Sequence, residues 1–157
     1  MKKILPFCLL AFLSVAILSC KPEEELPLPE NVMESDAGLK FRLEWNTGST
    51  PEKAIEEADL DLFLLIGHDT AGESAWYDFE ETALKSFYAD GTYILQIDAF
   101  KISKATHYTL HVSTGGGSQL KTFEGTFEAG DELSLNFMEV TKSGTRYSLR
   151  TLLDTEP

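Results

Sequence analysis

The chain of 157 residues is poor in cysteine and in basic residues. Its two cysteines, Cys8 and Cys20, lie at the N-terminus, so residues 21–157 contain no thiol for a disulfide or a thiolate metal site. The 13 lysines and arginines face 26 aspartates and glutamates. Such an acidic chain repels nucleic acid and anionic lipid headgroups, which argues against functions that depend on phosphate neutralisation.

The long apolar run at residues 4–18, which follows Lys2 and Lys3, is typical of an export signal. It is shorter than the roughly 20 apolar residues that a transmembrane helix needs, and no basic stop-transfer flank follows it. We therefore predict a cleaved signal peptide at residues 1–19 and a mature chain that begins at Cys20. Cleavage removes two basic residues and no acidic one, so the formal net charge changes from −13 to −15.

The residues around the predicted cleavage site, Ile17-Leu18-Ser19-Cys20, resemble the lipobox of bacterial lipoproteins. The resemblance implies that the thiol of Cys20 carries a diacylglyceryl group and that the new amine is acylated, for example with palmitate. Two or more acyl chains, at ~0.8 kcal/mol per buried methylene, attach a protein stably to a membrane. The alternative is an ordinary secretory peptide in which Cys20 is incidental.

Residues 20–37 predict a flexible acidic tether, because their prolines and glutamates cannot form a core. Lys21 followed by Glu23-Glu24-Glu25 also resembles the surface-export signal of Bacteroidetes-type lipoproteins. That resemblance implies a lipid-anchored protein of the outer membrane that is exposed at the cell surface. The alternative is a spacer that faces the periplasm.

Residues 38–157 predict a single all-β domain. Apolar and polar residues alternate at 39–45, which is typical of a strand with one buried face and places Trp45 in the core. A capping residue, a proline and an early acid then predict one short helix at residues 51–58, inserted between strands.

The remaining pattern predicts short strands separated by turns. Residues 59–66 become apolar on both faces, as expected of a central strand. Ala89-Asp90-Gly91 predicts a hairpin between strands at 82–88 and 92–100, and residues 68–81 predict the longest irregular loop, where function is expected. About eight strands in all predict an antiparallel β-sandwich that is jelly-roll-like and has one short helical insertion.

Four segments in strand order resemble the bacterial pre-peptidase C-terminal domain; they are residues 43–46, 58–64, 91–97 and 108–112. The resemblance spans about residues 39–113. It implies a β-sandwich of the kind attached to secreted enzymes, with related modules that bind collagen or carbohydrate and in some cases carry structural calcium. The chain departs from the family in the insertion at 51–58, in the strands after Gly117 and in having no attached catalytic domain.

Asp59 and Asp61 lie two residues apart on a predicted strand and therefore project to the same side, about 6.5 to 7 Å apart at Cα. They predict a candidate calcium site if backbone carbonyls and a loop acid such as Asp69, Asp78 or Glu80 complete the six to eight oxygen contacts. One alternative is a solvated strand start that discourages edge pairing. Another is a pair of glycosidase carboxylates, although this strand has only aspartates.

Trp76 and Tyr77 lie in the predicted loop beside Glu73 and Asp78. Aromatic faces flanked by acids are suited to a sugar or a peptide, so both residues are candidate ligand contacts. The alternative is that one of the two rings closes the end of the sandwich.

His68, His107 and His111 are predicted as surface residues. On a strand His107 and His111 share a face but lie about 13 Å apart, which is too far for one zinc ion. The sequence also contains no Ser-His-Asp spacing, phosphate loop or nucleophile elbow.

The observations favour a non-catalytic surface lipoprotein whose β-sandwich binds a glycan or a protein of the envelope or of a host. A structural or accessory subunit of an envelope complex, without a small ligand, is the alternative from a different class. A calcium-dependent hydrolase is the third hypothesis. No nucleic acid partner is expected.

Overall fold

The computed structural model describes residues 29–76 and 78–152, so the predicted signal peptide, Cys20 and Tyr77 lie outside the described residues. Within them the chain forms an all-β sandwich with one short helix, which confirms the predicted fold class with ten strands in place of about eight. The elements are β1 (Val32–Glu34), β2 (Leu39–Asn46), α1 (Pro51–Glu57), β3 (Ala58–Ile66), β4 (Asp69–Ser74), β5 (Glu80–Leu84), β6 (Gly91–Ile102), β7 (Thr106–Thr114), β8 (Leu120–Phe127), β9 (Leu133–Ser143) and β10 (Arg146–Thr151).

Two antiparallel sheets pack face to face around one core. The six-stranded sheet has the order β1-β10-β9-β6-β3-β4, and the four-stranded sheet has the order β5-β2-β7-β8. Alternate residues of the inner strands are buried between the sheets, as the alternation in sequence predicts. They include Leu39, Phe41, Leu43, Trp45, Leu60, Leu62, Leu64, Tyr93, Leu95, Ile97, Tyr108, Leu110 and Val112. Each large apolar side chain buried in this way stabilises the fold by about 1.5–3 kcal/mol.

The short helix α1 covers one end of the sandwich, as an insertion between β2 and β3. Thr50 occupies the N-cap position without a side-chain capping hydrogen bond, and Pro51 begins the helix. Ala54 is fully buried, and its carbonyl accepts a hydrogen bond from the Trp45 indole N–H at 3.2 Å. The helix therefore satisfies the one polar atom of the predicted core tryptophan.

The predicted irregular loop at 68–81 is partly wrong, because its first half is strand β4. The two-residue turn Gly67-His68 reverses the chain, with Gly67 at φ 59°, so that Asp69 pairs with Ile66. A Gly-X pair of this kind is a hairpin signal. The sequence does not predict strand β4, because its mixed polar residues do not alternate with apolar ones. The strand forms because its backbone pairs with the edge of β3. Residues 75, 76, 78 and 79 remain outside regular structure.

The predicted hairpin at Ala89-Asp90-Gly91 is wrong. Strand β5 pairs with β2 in one sheet, whereas β6 pairs with β3 and β9 in the other, so the segment crosses between sheets. The Asp90 carboxylate accepts hydrogen bonds from Lys142 Nζ at 2.7 Å and from the Gly144 N–H at 2.9 Å. The residues that resemble a local turn therefore make a contact between distant segments.

Strand β3 pairs on both sides, with β6 and with the edge strand β4, so it is an interior strand, as the sequence predicts. Its inner residues are fully buried and its outward residues, Phe63 and Leu65 among them, are half-buried. Strand β1 lies within the range predicted as tether and pairs with β10. The strands after Gly117 complete the same sandwich, with β8 in one sheet and β9 and β10 in the other. No helix among the described residues is long and apolar enough to cross a membrane.

Candidate functional site

Asp59 and Asp61 lie on the outer face of the six-stranded sheet. Their neighbours on β3, Ala58, Leu60 and Leu62, point into the core, so the two aspartates share the opposite face, as the sequence predicts. Both carboxylates are half-buried.

A cavity of about 170 Å³ lies over these carboxylates; it is lined by Asp59, Asp61, Ala75, Trp76 and Phe100, and is called the Trp76 cavity below. The Trp76 side chain is 76% exposed and the Phe100 side chain is 68% exposed. The structure thus brings together three of the predicted site residues, Asp59, Asp61 and Trp76. The fourth, Tyr77, lies outside the described residues.

Phe100 is a site residue that the sequence analysis missed. It lies where the pairing of β3 with β6 shifts by one residue, between the pairs Leu60–Ala99 and Asp59–Lys101. This β-bulge leaves Phe100 and Lys101 both exposed. The available signal was a large aromatic residue on the polar face of a strand whose other face is apolar.

The loop that carries Trp76 is held by a buried carboxylate. Glu80 is fully buried, and its two oxygens accept hydrogen bonds from the Ser74 hydroxyl and from the Trp76 backbone N–H, the latter at 3.0 Å. Ser74 Oγ in turn accepts the Glu81 N–H at 3.1 Å. Phe79 packs edge-on against Trp45, with 5.1 Å between ring centroids. Both ends of the short loop are therefore fixed to the sandwich.

The carboxyl groups of the site are harder to ionise than usual. Partial burial, together with the charges of Asp59, Glu80 and Asp98, raises the pKa of Asp61 to about 6. Burial raises the pKa of Asp59, although Lys101 acts in the opposite direction. Burial also raises the pKa of Glu80, and its two hydrogen bonds oppose that shift. Burial therefore opposes ionisation of both aspartates that line the Trp76 cavity, and neighbouring carboxylates add to this effect at Asp61.

Neither Asp59 nor Asp61 makes an ion pair within 4.0 Å with a basic side chain of the described residues. Lys101 lowers the pKa of Asp59 electrostatically, but its Nζ donates a hydrogen bond to the carbonyl of Glu56 at 3.0 Å. Asp98, which pairs with Asp61 across the strands, accepts a hydrogen bond from Ser134. The two cavity carboxylates thus lack a cationic partner within the described chain.

The structure assembles only part of the predicted calcium ligand set. Asp69 pairs with Ile66 at the far end of β3, five residues or roughly 16 Å from Asp61 along the strand. Glu80 is engaged by Ser74 and Trp76. Across residues 29–76 and 78–152, no three His, Cys, Asp or Glu side chains are grouped so as to hold a metal ion. Calcium binding at Asp59 and Asp61 stays a prediction.

The histidines lie away from the Trp76 cavity. His68 is in the β3–β4 turn, and His107 and His111 share the outer face of β7, where their rings contact Thr126 and Thr122. A larger cavity of about 430 Å³ lies between β8 and the β1–β10 edge. The apolar side chains of Phe123 and Leu149 line it together with polar ones.

Comparison of the chain with protein-family models, with curated proteins and with solved structures finds no match.

Proposed function

We propose that this protein is a non-catalytic lipoprotein, anchored through Cys20 in the outer membrane and exposed at the cell surface, whose β-sandwich binds a glycan or a protein partner. The lipobox-like residues and the acidic segment after Cys20 support the anchor and the location. Binding is assigned to the Trp76 cavity.

The observation that carries the proposal is the exposure of two aromatic rings beside two carboxylates that make no ion pair with the described part of the chain. Trp76 and Phe100 come from different elements, a loop after β4 and a bulge in β6, and converge on one cavity. A large aromatic side chain left in water forgoes about 1.5–3 kcal/mol of burial. Two such rings at one place favour contact with another molecule.

The test is a binding screen with the mature chain, residues 20–157, carrying Cys20→Ser so that it is soluble without lipid. The protein is applied to a glycan panel and used to capture proteins from envelope and host extracts. We expect Trp76→Ala and Phe100→Ala each to weaken binding of any captured ligand at least fivefold.

Phe87→Ala is the matched control, because Phe87 is 78% exposed and does not line the Trp76 cavity. Equal binding by the wild type, Trp76→Ala and Phe100→Ala would remove the cavity from the proposal. Loss of binding in Phe87→Ala to the same extent would indicate nonspecific aromatic adsorption.

Calcium is a competing candidate for the two carboxylates that line the Trp76 cavity. Asp59 and Asp61 offer four carboxylate oxygens, and Ca²⁺ takes six to eight oxygen ligands, so water or a bound ligand must complete the shell. Thermal unfolding in excess calcium and then in chelator tests it. A site occupied at a hundredfold excess over its dissociation constant stabilises the folded state by ~2.7 kcal/mol. A shift that Asp59→Asn abolishes would support calcium, and the absence of a shift would count against it.

A further inference from the structure

The Trp76 cavity is small and open to solvent. Sites for whole small molecules commonly measure roughly 300–1,000 Å³, whereas this cavity measures about 170 Å³ and shares Asp59 with a neighbouring cavity of about 350 Å³. The space beside the rings accommodates a single inserted side chain. The rest of such a partner would lie on the surrounding surface of the sheet.

The two rings of the cavity present aromatic faces that attract cations. Trp76 and Phe100 are exposed, so their faces are accessible to a partner. The negative face of an aromatic ring attracts an ammonium or guanidinium group within about 6 Å of its centroid, most strongly for tryptophan. The protein already shows such a contact elsewhere, since Lys85 Nζ lies 5.8 Å from the ring centroid of Phe87.

The charges around the cavity have the complementary sign. Asp59 and Asp61 line the cavity, and Asp98 pairs with Asp61 across the strands. Among the described residues, Lys101 is the basic side chain that acts on Asp59. Lys101 is held by the carbonyl of Glu56 and does not pair with either cavity carboxylate. Within the described residues neither cavity aspartate has a basic side chain within 4.0 Å, so an entering cation would supply such a partner.

The backbone of Trp76 is anchored before a ligand binds. Glu80 holds its backbone N–H, and Phe79 is fixed against Trp45. A binding group that is already positioned loses less conformational entropy on association.

We propose that the Trp76 cavity binds a lysine or arginine side chain presented by a protein partner, with the ammonium or guanidinium between the two rings and above Asp59 and Asp61. This inference rests on the proposed function, because it names the ligand class of the same cavity. It selects a protein partner over a neutral glycan.

The test uses two short peptides, acetyl-Gly-Arg-Gly-amide and the same peptide with citrulline in place of arginine, which has nearly the same shape but no charge. The readout is the indole N–H resonance of Trp76 in a two-dimensional NMR titration. Trp45, the other tryptophan, is buried and bonded to Ala54, so its resonance is an internal control. We expect the arginine peptide to shift the Trp76 signal saturably and the citrulline peptide to bind at least tenfold more weakly.

Variants that remove one negative charge test which carboxylates attract the arginine side chain. Asp59→Asn and Asp61→Asn should each weaken binding of the arginine peptide at least threefold. Asp36 is an exposed acid between β1 and β2, and Asp36→Asn should leave the affinity unchanged. The attraction should also weaken as salt is raised from 0.05 to 0.5 M, as roughly expected for a partly exposed charge pair.

Equal binding of the two peptides, no saturable shift with arginine, or full arginine affinity in Asp61→Asn would overturn the inference. The proposed function has a different failure. If a neutral glycan binds in a manner that requires Trp76 while the arginine peptide does not bind, the inference fails and the proposed function stands. If no ligand from the screen and neither peptide depends on Trp76, both fail.

Discussion

The backbone N–H of Trp76 donates a hydrogen bond to Glu80, with 3.0 Å between N and Oε1. The acceptor is fully buried, whereas the ring of the donor residue is 76% exposed. A buried carboxyl group thus holds the backbone of the residue whose ring is the most exposed in the surface cavity. The stability of the loop and the shape of the cavity are therefore linked through one carboxylate.

Replacing Glu80 should destabilise the protein. Glu80→Ala removes both acceptors and leaves the Trp76 N–H and the Ser74 hydroxyl without these partners. Such a loss costs about 1–3 kcal/mol, which urea unfolding would measure. Glu81→Ala is the control, because Glu81 is exposed and its contact with Lys40 is a surface pair at 3.9 Å, worth about 0–1 kcal/mol. Equal effects of the two variants would contradict the structural role of Glu80.

Asp61 should make the protein more stable as the pH falls from 7 to 5. Its pKa is raised to about 6 in the folded state from 3.8, so between these values the folded state binds more protons than the unfolded state. The contribution of Asp61 to the free energy of unfolding is therefore most favourable below pH 4, and it is lost as the pH rises through 6.

The matched variant Asp61→Asn should therefore raise the free energy of unfolding at pH 7.5 by about 1–2 kcal/mol, allowing for partial exposure of the group. At pH 4 the wild type and the variant should be equally stable. The measurement is urea unfolding of both proteins at pH 4, 6 and 7.5. A variant that is less stable than the wild type at pH 7.5 would show that Asp61 has a stabilising partner.

Asp90 should contribute to stability over the neutral range. Hydrogen bonds from Lys142 and Gly144 hold the pKa of Asp90 below its usual value. Its stabilising effect is therefore present above pH 4 and is lost only as the pH falls through that lowered pKa. Asp90→Ala leaves the largely buried ammonium of Lys142 without its carboxylate, so the thermal midpoint should fall clearly further than in Asp36→Ala. Similar midpoints in the two variants would contradict the contact.

Cys20→Ser should abolish lipid attachment to the protein. The predicted thioether needs the thiol, and the apolar run before it is too short to span a bilayer. Fractionation of cells and labelling with radioactive palmitate measure this change, and protease treatment of intact cells distinguishes the surface from the periplasm. Cys8→Ser is the control, because Cys8 lies within the predicted signal peptide. Membrane association and palmitate label retained in Cys20→Ser would contradict lipid attachment at this residue.

The sequence was sufficient for the sandwich and for part of its candidate site. A period of two places side chains on alternate faces of a strand whatever the strand pairs with, so Phe41 and Trp45 were assigned to the core correctly. For the same reason Asp59 and Asp61 could be placed on one outward face. These conclusions depend only on neighbours along the chain.

Contacts between distant segments depended on the tertiary structure. Phe100 joins the Trp76 cavity because of a bulge in the pairing of β6 with β3, and strand β4 exists because β3 offers it a free edge. Ala89-Asp90-Gly91 has the residues of a local turn, but Asp90 instead bonds to Lys142, which is 52 residues away. Alternation along one strand determines which face a residue occupies, whereas strand partners and register follow from the packing of the whole chain, and these decided which side chains meet at the cavity.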